Sequence, residues 1–258
     1  MSKEKFSLNF FNLEGKVAIV TGGNTGLGMS YVEALAIAGA DILVTTFDDN
    51  VSEVKEIVES LGKKIVFVKG DLTKKETRER VISTCLDEFG KIDILVNNAG
   101  TIRRAPLLEY KEEDWQAVID INLNAVYYLS QEVARIMVKQ GEGKIINIAS
   151  MLAFQGGKFV PPYTASKHGV AGITKAFANE LAEKNIQINA IAPGYIKTAN
   201  TAPIRADENR NKEILSRIPA GRWGEVSDLM GTVVFLASKA SDYLNGHILA
   251  VDGGWLVR

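Results

Sequence analysis

Tyr163 and Lys167 are the residues whose types and spacing most directly predict chemistry in this chain. They stand four residues apart, just after Pro161 and Pro162, and a helix that begins there places both side chains on one face. A free tyrosine titrates near about 10, and a neighbouring ammonium group lowers that pKa, at about 1.4 kcal/mol for each pKa unit. The pair predicts a phenol that works as acid or base at neutral pH, although the same spacing is equally typical of a solvated helix.

The elements that must position this pair alternate regularly between strands and helices. Mostly continuous apolar runs predict strands at 16–20, 41–45, 64–68, 92–96, 144–148, 187–192 and 247–251. Helical patterns fall between them at 26–38, 51–61, 74–89, 111–139, 163–183 and 226–237. The alternation predicts a doubly wound α/β sheet of parallel strands in one domain, 1–258. Residues 197–223 are the one long departure from it and predict a substrate lid, here called the lid segment.

Composition excludes several classes of function. The chain has 258 residues, is 46% hydrophobic and carries a net charge of −1, so it offers no basic stripe for nucleic acid or for anionic lipid. Its start is too short and too polar for a signal-peptide core, and no apolar run reaches about 18 residues, so we expect a soluble, cytoplasmic protein. One cysteine, Cys85, excludes an internal disulfide, and the two histidines, His168 and His247, predict no metal site.

A glycine-rich turn follows the first strand directly. Glycines stand at 22, 26 and 28, in the spacing Gly-x-x-x-Gly-x-Gly, and an amphipathic pattern begins there. Such glycines permit a tight turn and a close approach of the backbone to a pyrophosphate, and a helix N-terminus presents free N–H groups to the phosphate charge. In this strand-turn-helix context the turn predicts dinucleotide binding rather than an ordinary loop.

At this point the chain resembles the short-chain dehydrogenase/reductase family, over nearly its whole length. The resemblance rests on motifs in the family's order, which are the glycine turn, Asp71, Asn97-Asn98-Ala99-Gly100, Asn122, Ser150, Tyr163 with Lys167, and Pro193-Gly194. It implies a Rossmann-type fold of about seven parallel strands, a bound NAD(H) or NADP(H), and hydride exchange between the nicotinamide and an alcohol or ketone. It also implies a homotetramer, with the Gly253-Gly254-Trp255 segment near a subunit contact.

The resemblance also implies the catalytic roles. Tyr163 is then the general acid or base, Ser150 bonds the reacting oxygen, Lys167 holds the ribose and lowers the tyrosine pKa, and Asn122 holds a water in a proton relay. The residues support these roles independently, because oxidation of an alcohol needs a base for its proton and a partner for the developing alkoxide. Ser150 also follows a strand at its carboxyl end, where open parallel sheets bind ligands.

The cofactor is predicted to be NAD, with NADP less favoured. The acidic position that ends the second strand in NAD enzymes carries Thr46, but Phe47 brings no cation, and Asp48 and Asp49 would repel an extra phosphate. Thr25 stands where NADP enzymes of the family often show a cation. The residues predicted to contact the dinucleotide are Gly22, Asn24, Thr25, Gly26, Leu27, Gly28, Thr46, Phe47, Asp71, Leu72, Asn98, Ala99, Gly100, Tyr163, Lys167, Pro193, Gly194, Ile196 and Thr198.

The predicted substrate is a sugar acid. Arg103 and Arg104 follow the Asn-Asn-Ala-Gly motif, and Gln155 lies between Ser150 and Tyr163; a guanidinium group suits a carboxylate, and an amide suits sugar hydroxyls. Which arginine meets the carboxylate stays open. The chain also resembles the sugar-acid branch of the family in these loops, in the lid segment and at its C-terminal end. The alternatives are an NADPH-dependent 3-oxoacyl carrier-protein reductase, and a dinucleotide-binding sensor without catalysis, which would be expected to lack Ser150, Tyr163 or Lys167.

Overall fold

The central feature of the molecule is a sheet of seven parallel strands, in the order β3-β2-β1-β4-β5-β6-β7. The computed structural model describes residues 5–258; residues 1–4, part of the polar start considered above, lie outside the described residues. The strands are β1 Val17–Thr21, β2 Asp41–Thr46, β3 Ile65–Lys69, β4 Ile94–Asn97, β5 Gly143–Ile148, β6 Ile186–Pro193 and β7 Ile248–Val251. The predicted strands and fold class are confirmed. Because the strand order reverses between β1 and β4, a crevice opens there at the carboxyl ends of the strands.

Helices cover both faces of the sheet. They are α1 Gly26–Ile37, α2 Ser52–Ser60, α3 Lys75–Phe89, α4 Glu112–Ile119, α5 Ala125–Gln140, α6 Pro161–Leu181, α7 Ala202–Ala206, α8 Glu208–Arg217 and α9 Met230–Ala237. Within residues 5–258, no helix combines the length and the apolar character needed to cross a bilayer.

The continuous apolar runs of the strands follow from this two-sided cover. Successive side chains of a strand point to opposite faces, so Val20 packs with Leu35 of α1 while Ile19 packs with Leu129 of α5. All five residues of β1 are buried. Each such aliphatic side chain stabilises the fold by about 1.5–3 kcal/mol relative to exposure, which fixes the sheet that carries the crevice.

The predicted single helix over 111–139 is interrupted. Asp120–Asn124 forms a turn of π-helix between α4 and α5. Asn122 lies in this turn, and its amide bonds the main chain of Thr101 instead of facing solvent. A π turn widens the helix by one residue per turn and is frequent at functional sites. The interruption therefore aims a buried polar residue at the loop after β4, an effect that helical periodicity does not reveal.

The lid segment contains a 3₁₀ turn, Ala199–Thr201, followed by the short helix α7 and by α8. Asp207 begins α8, and its Oδ1 accepts a hydrogen bond from the main-chain N–H of Arg210 at 3.0 Å. The inner side of α8 buries Ile214, which packs in one cluster with Trp223 and Trp255. Trp255 is thus a core residue of its own chain, and it joins the lid segment to the C-terminal end of the sheet.

Candidate active site

Ser150 and Tyr163 come together at the carboxyl end of β5. Ser150 directly precedes the 3₁₀ turn Met151–Ala153, and its hydroxyl accepts a hydrogen bond from the N–H of Leu152 at 3.1 Å. Tyr163 lies in the first turn of α6, which Pro161 and Pro162 begin. Burial raises the pKa of the Tyr163 phenol, and its hydrogen bond with Ser150 opposes part of that rise. A substrate oxygen that bonds both groups would sit between the strand end and the helix.

Lys167 is buried one turn further along α6. Its ammonium donates to the carbonyl of Ile148 at 2.5 Å and lies 5.5 Å from the centroid of the Tyr163 ring. Burial lowers the pKa of Lys167 from its usual value to about 8. The residue therefore stands inside the site as a charge held by one carbonyl and one aromatic ring.

The pKa of Tyr163 is raised, so the predicted lowering by Lys167 is wrong for this structure. Burial is the largest cause and disfavours the phenolate, while the bond from Ser150 and the charge of Arg104 only partly offset it. Lys167 directs its ammonium to the carbonyl of Ile148 rather than to the phenol oxygen. At neutral pH Tyr163 is therefore a protonated group, which suits proton donation to a ketone.

Asn122 lies next to this pair, and its side-chain amide makes three hydrogen bonds. Its Oδ1 accepts from the N–H of Thr101 at 2.8 Å, and its Nδ2 donates to the carbonyl of Thr101 at 2.9 Å and to Ser166 Oγ at 3.3 Å. Ser166 Oγ in turn donates to the carbonyl of Tyr163 at 2.8 Å. The amide therefore links the loop after β4 to α6. The relay water predicted at Asn122 stays a prediction.

The glycine turn forms a cradle that a dinucleotide phosphate would fit. Gly22 and Gly26 have φ angles of +60° and +53°, and a Cβ on Gly28 would lie 2.0 Å from the carbonyl oxygen of Gly22. Thr25 precedes α1 without capping it, so the first N–H groups of the helix, from Gly26 and Leu27 onwards, are left for an anion. These observations match the chemistry of a pyrophosphate and support the predicted cofactor contacts in this turn.

The loop after β4 forms the next wall of the crevice. Asn98 Nδ2 donates to the carbonyls of Thr21 and Gly22 at 2.9 and 3.0 Å, so it fixes the glycine turn itself. The N–H of Ala99 donates to Thr21 Oγ1 at 2.9 Å. A Cβ on Gly100 would lie 2.9 Å from Asn122 Oδ1, which leaves room only for glycine. This loop therefore links the glycine turn, through Asn98, to Asn122 and α6.

The end of β2 carries the groups that would choose between the two nicotinamide cofactors. Thr46 is buried and Phe47 is exposed. Asp48 Oδ1 accepts from Asn24 Nδ2 at 2.9 Å, which fixes one carboxylate beside the glycine turn and engages the amide that was predicted to contact the cofactor. Asp49 forms an ion pair with Lys69, and Lys69 lies beside Thr46 in the sheet register. The sequence analysis missed Lys69 as a cation near the end of β2. Its position directly after the apolar run of β3 is the signal that could have indicated it.

The remaining predicted cofactor residues lie at the ends of β3 and β6. Asp71 Oδ1 accepts from the N–H of Thr73 at 2.9 Å, and Leu72 is buried. Gly194 follows β6, and a Cβ there would lie 2.5 Å from Cα of Asp252. The other members of this set are Pro193, at the end of β6, the buried Ile196, and Thr198, before the 3₁₀ turn.

The two predicted arginines are separated by the structure. Arg103 pairs with Asp114 on the surface at 3.6 Å and is more than half exposed. Arg104 reaches towards the carbonyl of Asn200 in the lid segment at 3.5 Å, and its charge acts on the phenol of Tyr163. Of the two arginines, Arg104 is therefore the one that contacts the lid segment and acts electrostatically on Tyr163.

Gln155 faces the lid segment rather than open space. Its Oε1 accepts from Arg217 at 3.2 Å, and the guanidinium of Arg217 stacks on Trp255 at 4.0 Å. The Tyr195 ring packs at 4.8 Å from that of Trp255, and Arg104 and Arg217 both lower the Tyr195 pKa, although burial raises it overall. Tyr195 and Arg217 were missed in the sequence analysis, and the only available signal was their position beside Pro193-Gly194 and in the lid segment.

A family model described as Enoyl-(Acyl carrier protein) reductase matches residues 22–256. Together with the Rossmann-type sheet and the Ser-Tyr-Lys site, this match identifies the class: the chain belongs to the short-chain dehydrogenase/reductase family, whose members are oxidoreductases that bind a nicotinamide dinucleotide.

Its similar relatives are more specific. The chain is 57% identical to 2-dehydro-3-deoxy-D-gluconate 5-dehydrogenase of Bacillus subtilis, over 96% of this chain and 97% of that one. A solved structure from Agrobacterium tumefaciens, proposed to be a 2-deoxy-D-gluconate 3-dehydrogenase and holding NADP, is 49% identical with a TM-score of 0.90, over 97% and 100% of the two chains. A proposed gluconate 5-dehydrogenase from Beutenbergia cavernae, with NADP at low occupancy, is 45% identical with a TM-score of 0.92, over 96% and 99%.

Proposed function

We propose that this protein is a 2-dehydro-3-deoxy-D-gluconate 5-dehydrogenase, which is also called 2-deoxy-D-gluconate 3-dehydrogenase. It would interconvert the C5 hydroxyl of 2-dehydro-3-deoxy-D-gluconate with the ketone of the 2,5-diketo acid, in uronate catabolism. The observation that carries the proposal is Arg104, whose charge acts on the phenol of Tyr163 in a chain 57% identical to an enzyme of that name. A carboxylate bound there would present a hydroxyl-bearing carbon to Tyr163.

The residues of the site divide the chemistry between them. When bound, the nicotinamide supplies or accepts the hydride. In reduction, Tyr163 donates its phenolic proton to the ketone oxygen, while the hydroxyl of Ser150 donates a hydrogen bond to the same oxygen as negative charge develops on it. Lys167 would hold the ribose hydroxyls through its ammonium group, which also places a positive charge near the phenol. In oxidation the same proton moves back to Tyr163.

A panel assay tests the proposal directly. Purified protein is mixed with NADH or NADPH, and absorbance at the reduced-nicotinamide band is followed with 2,5-diketo-3-deoxygluconate, 5-ketogluconate and a 3-oxoacyl thioester. The proposal expects the highest kcat/KM with the 3-deoxy diketo acid. Preference for 5-ketogluconate would favour gluconate 5-dehydrogenase, the second candidate, which the 45% identity to the Beutenbergia protein supports. Preference for the thioester would favour a carrier-protein reductase, and no turnover would favour a sensor.

Arg104 is proposed to bind the substrate carboxylate. Arg104→Ala should raise KM for the acid about 10- to 100-fold, because a hydrogen bond to a charged group contributes about 1.5–3 kcal/mol. The effect on an uncharged polyol of similar length should stay within about threefold. Arg103→Ala is the matched control, since Arg103 pairs with Asp114 at the surface, and its KM should stay near the wild-type value. Equal losses for the acid and the polyol, or a larger loss in Arg103→Ala, would contradict the assignment.

NAD is proposed as the preferred cofactor, although both solved relatives described above hold NADP. The support is Asp48, whose carboxylate Asn24 holds beside the cradle and which would repel a ribose phosphate. We expect kcat/KM to be at least about tenfold higher for NADH than for NADPH. Asp48→Asn should reduce that ratio, whereas Asp49→Asn should not, because Asp49 is paired with Lys69. A wild-type preference for NADPH would replace this proposal with NADP.

The lid segment and the assembly are further parts of the proposal. We propose that residues 197–223 close over the substrate, which the contact of Arg104 with Asn200 and the bond of Arg217 to Gln155 support. We also propose a homotetramer, to be tested by the mass in light scattering. Substrate-dependent protection of the lid segment in hydrogen exchange would be the sign of closure, and equal exchange with and without substrate would contradict it.

A further inference from the structure

Arg78 is a buried charge that the proposed reaction does not use. It lies on α3 with only 6% of its surface exposed. Within residues 5–258, no carboxylate lies within 4.0 Å of its guanidinium, and its Nε has no hydrogen-bond partner. Burying a charge without an opposite charge is unfavourable, so a guanidinium in this position must be held by other groups.

The groups that hold Arg78 belong to the loop that follows β3. One terminal nitrogen donates to the carbonyl of Leu72 at 2.9 Å and to that of Thr73 at 3.1 Å. The centroid of the Tyr128 ring of α5 lies 5.0 Å from the guanidinium carbon. The same loop is also fixed from within, because Asp71 Oδ1 accepts from the N–H of Thr73 at 2.9 Å. Arg78 thus holds two main-chain carbonyls of this loop by hydrogen bonds from α3.

The position of this loop relates it to one half of the dinucleotide. In the sheet, β3 is the outer neighbour of β2, and Thr46 stands beside Lys69 at their carboxyl ends. The end of β2 faces the ribose next to the adenine in folds of this type, so the loop one strand further out lies on the adenosine side. The nicotinamide side lies on the other side of β1, at Ser150, Tyr163 and Lys167.

We propose that Arg78 is a positioning residue for cofactor recognition, which acts through the carbonyls of Leu72 and Thr73 to hold the adenosine-side loop in its binding conformation. Tyr128 completes the arrangement by covering the guanidinium. The inference rests on the proposed dinucleotide site and adds to it a residue that does not itself touch the cofactor.

A comparison of two cofactors separates positioning from general stability. Reduced nicotinamide mononucleotide lacks the adenosine half, so its binding does not depend on the loop after β3. For Arg78→Met, fluorescence titration should show a dissociation constant for NADH at least about tenfold higher than wild type. The substitution removes the two hydrogen bonds from the guanidinium to the carbonyls of Leu72 and Thr73, so the loop is no longer held in its binding conformation. The dissociation constant for the mononucleotide should stay within about twofold, and so should kcat measured with it.

Two further variants keep the test decisive. Arg78→Lys retains the charge and can donate to one carbonyl, so its NADH affinity should fall between those of the wild type and Arg78→Met. If Arg78→Met folds poorly, the affinity of Arg78→Lys for the two cofactors, compared with the wild type, serves as the test. Arg135→Met, at an exposed arginine of α5, is the control and should bind both cofactors normally. Equal weakening for NADH and the mononucleotide, or unchanged NADH affinity in both Arg78 variants, would overturn the inference. Wild-type protein that binds a reduced nicotinamide dinucleotide but reduces no sugar acid would contradict the proposed function alone, whereas failure to bind either NADH or NADPH would overturn both.

Discussion

Tyr163→Phe should lower kcat by about 10³-fold while the dissociation constant for the reduced cofactor stays within about twofold. The phenol is the proton donor of the site, and the Ser150 hydroxyl does not replace it, because an alcohol is a much weaker acid than a phenol. Ser150 can accept from the N–H of Leu152 and donate a hydrogen bond, without giving up its proton. Phenylalanine keeps the ring that packs over Lys167, so the cradle for the cofactor and the fold are retained. Stopped-flow or steady-state absorbance gives kcat, and fluorescence titration gives the binding constant.

The pH dependence of the wild-type enzyme adds a second measurement. Burial raises the pKa of Tyr163, so the protonated phenol that reduction needs persists over the neutral range. Reduction should therefore be fastest at neutral or lower pH and fall as pH rises through that pKa. Oxidation, which needs the phenolate, should instead rise with pH. In Tyr163→Phe, the residual rates of reduction and oxidation should show neither of these pH dependences.

The control for this prediction is Tyr243→Phe, which makes the same chemical change at a fully exposed side chain. Its kcat should equal that of the wild type. If Tyr163→Phe turned over normally, the catalytic assignment would be wrong. If it lost cofactor binding together with activity, the tyrosine would be part of the binding site rather than the proton donor.

Lys167→Met should abolish most activity and at the same time stabilise the protein. The buried ammonium has a pKa lowered to about 8, which corresponds to about 3 kcal/mol of unfavourable burial at neutral pH. Methionine removes that cost but leaves the carbonyl of Ile148 without its bond, at about 1–2 kcal/mol. We therefore expect a net gain of about 1–2 kcal/mol at pH 7, measured by urea unfolding, with a kcat at least about 10²-fold lower.

The sign of the pH dependence distinguishes this origin from a general packing effect. The pKa of Lys167 is lower in the folded than in the unfolded state, so between about 8 and about 10.5 the unfolded chain binds the extra proton. Wild-type stability, relative to the variant, then rises with pH across that window, and the penalty is fully present below it. The advantage of Lys167→Met should shrink as pH increases from 8 to 10.

The matched control is Lys175→Met, at an exposed lysine of the same helix. It should change neither activity nor the slope of stability with pH. A Lys167→Met protein that is less stable than the wild type at pH 7 would show that the hydrogen bond to Ile148 outweighs the burial of the charge. An advantage that stays constant with pH would show that the lysine is not the titrating group.

Much of the fold could be predicted because its signals are local. Strands that are covered on both faces become continuous apolar runs, and the run of β1 ends at the turn that Gly22 begins, so the glycine spacing could be placed at a strand end without any contact being known. Pro161 and Pro162 likewise marked the start of α6, and with it the phase of Tyr163 and Lys167 on one face.

The rest depends on contacts between residues far apart in the sequence. The π turn at Asp120–Asn124 forms where Asn122 reaches the main chain of Thr101, a contact that periodicity cannot indicate. Arg103 and Arg104 are chemically identical neighbours, yet Arg103 forms an ion pair with Asp114 of α4, whereas Arg104 contacts the lid segment at Asn200. Partners that are distant in the sequence have no fixed spacing, so a sequence pattern cannot identify them.

The amino-acid sequence by itself therefore determined the sheet, the cofactor turn and the identity of the groups that can move a proton, because residue type and short spacing control these. Tertiary structure alone decided the state of those groups. Burial raises the pKa of Tyr163, against the prediction from its four-residue spacing to Lys167, and burial also lowers the pKa of Lys167. The physical reason is that desolvation depends on everything packed around a side chain, and in this site it outweighs the charge of a single neighbour.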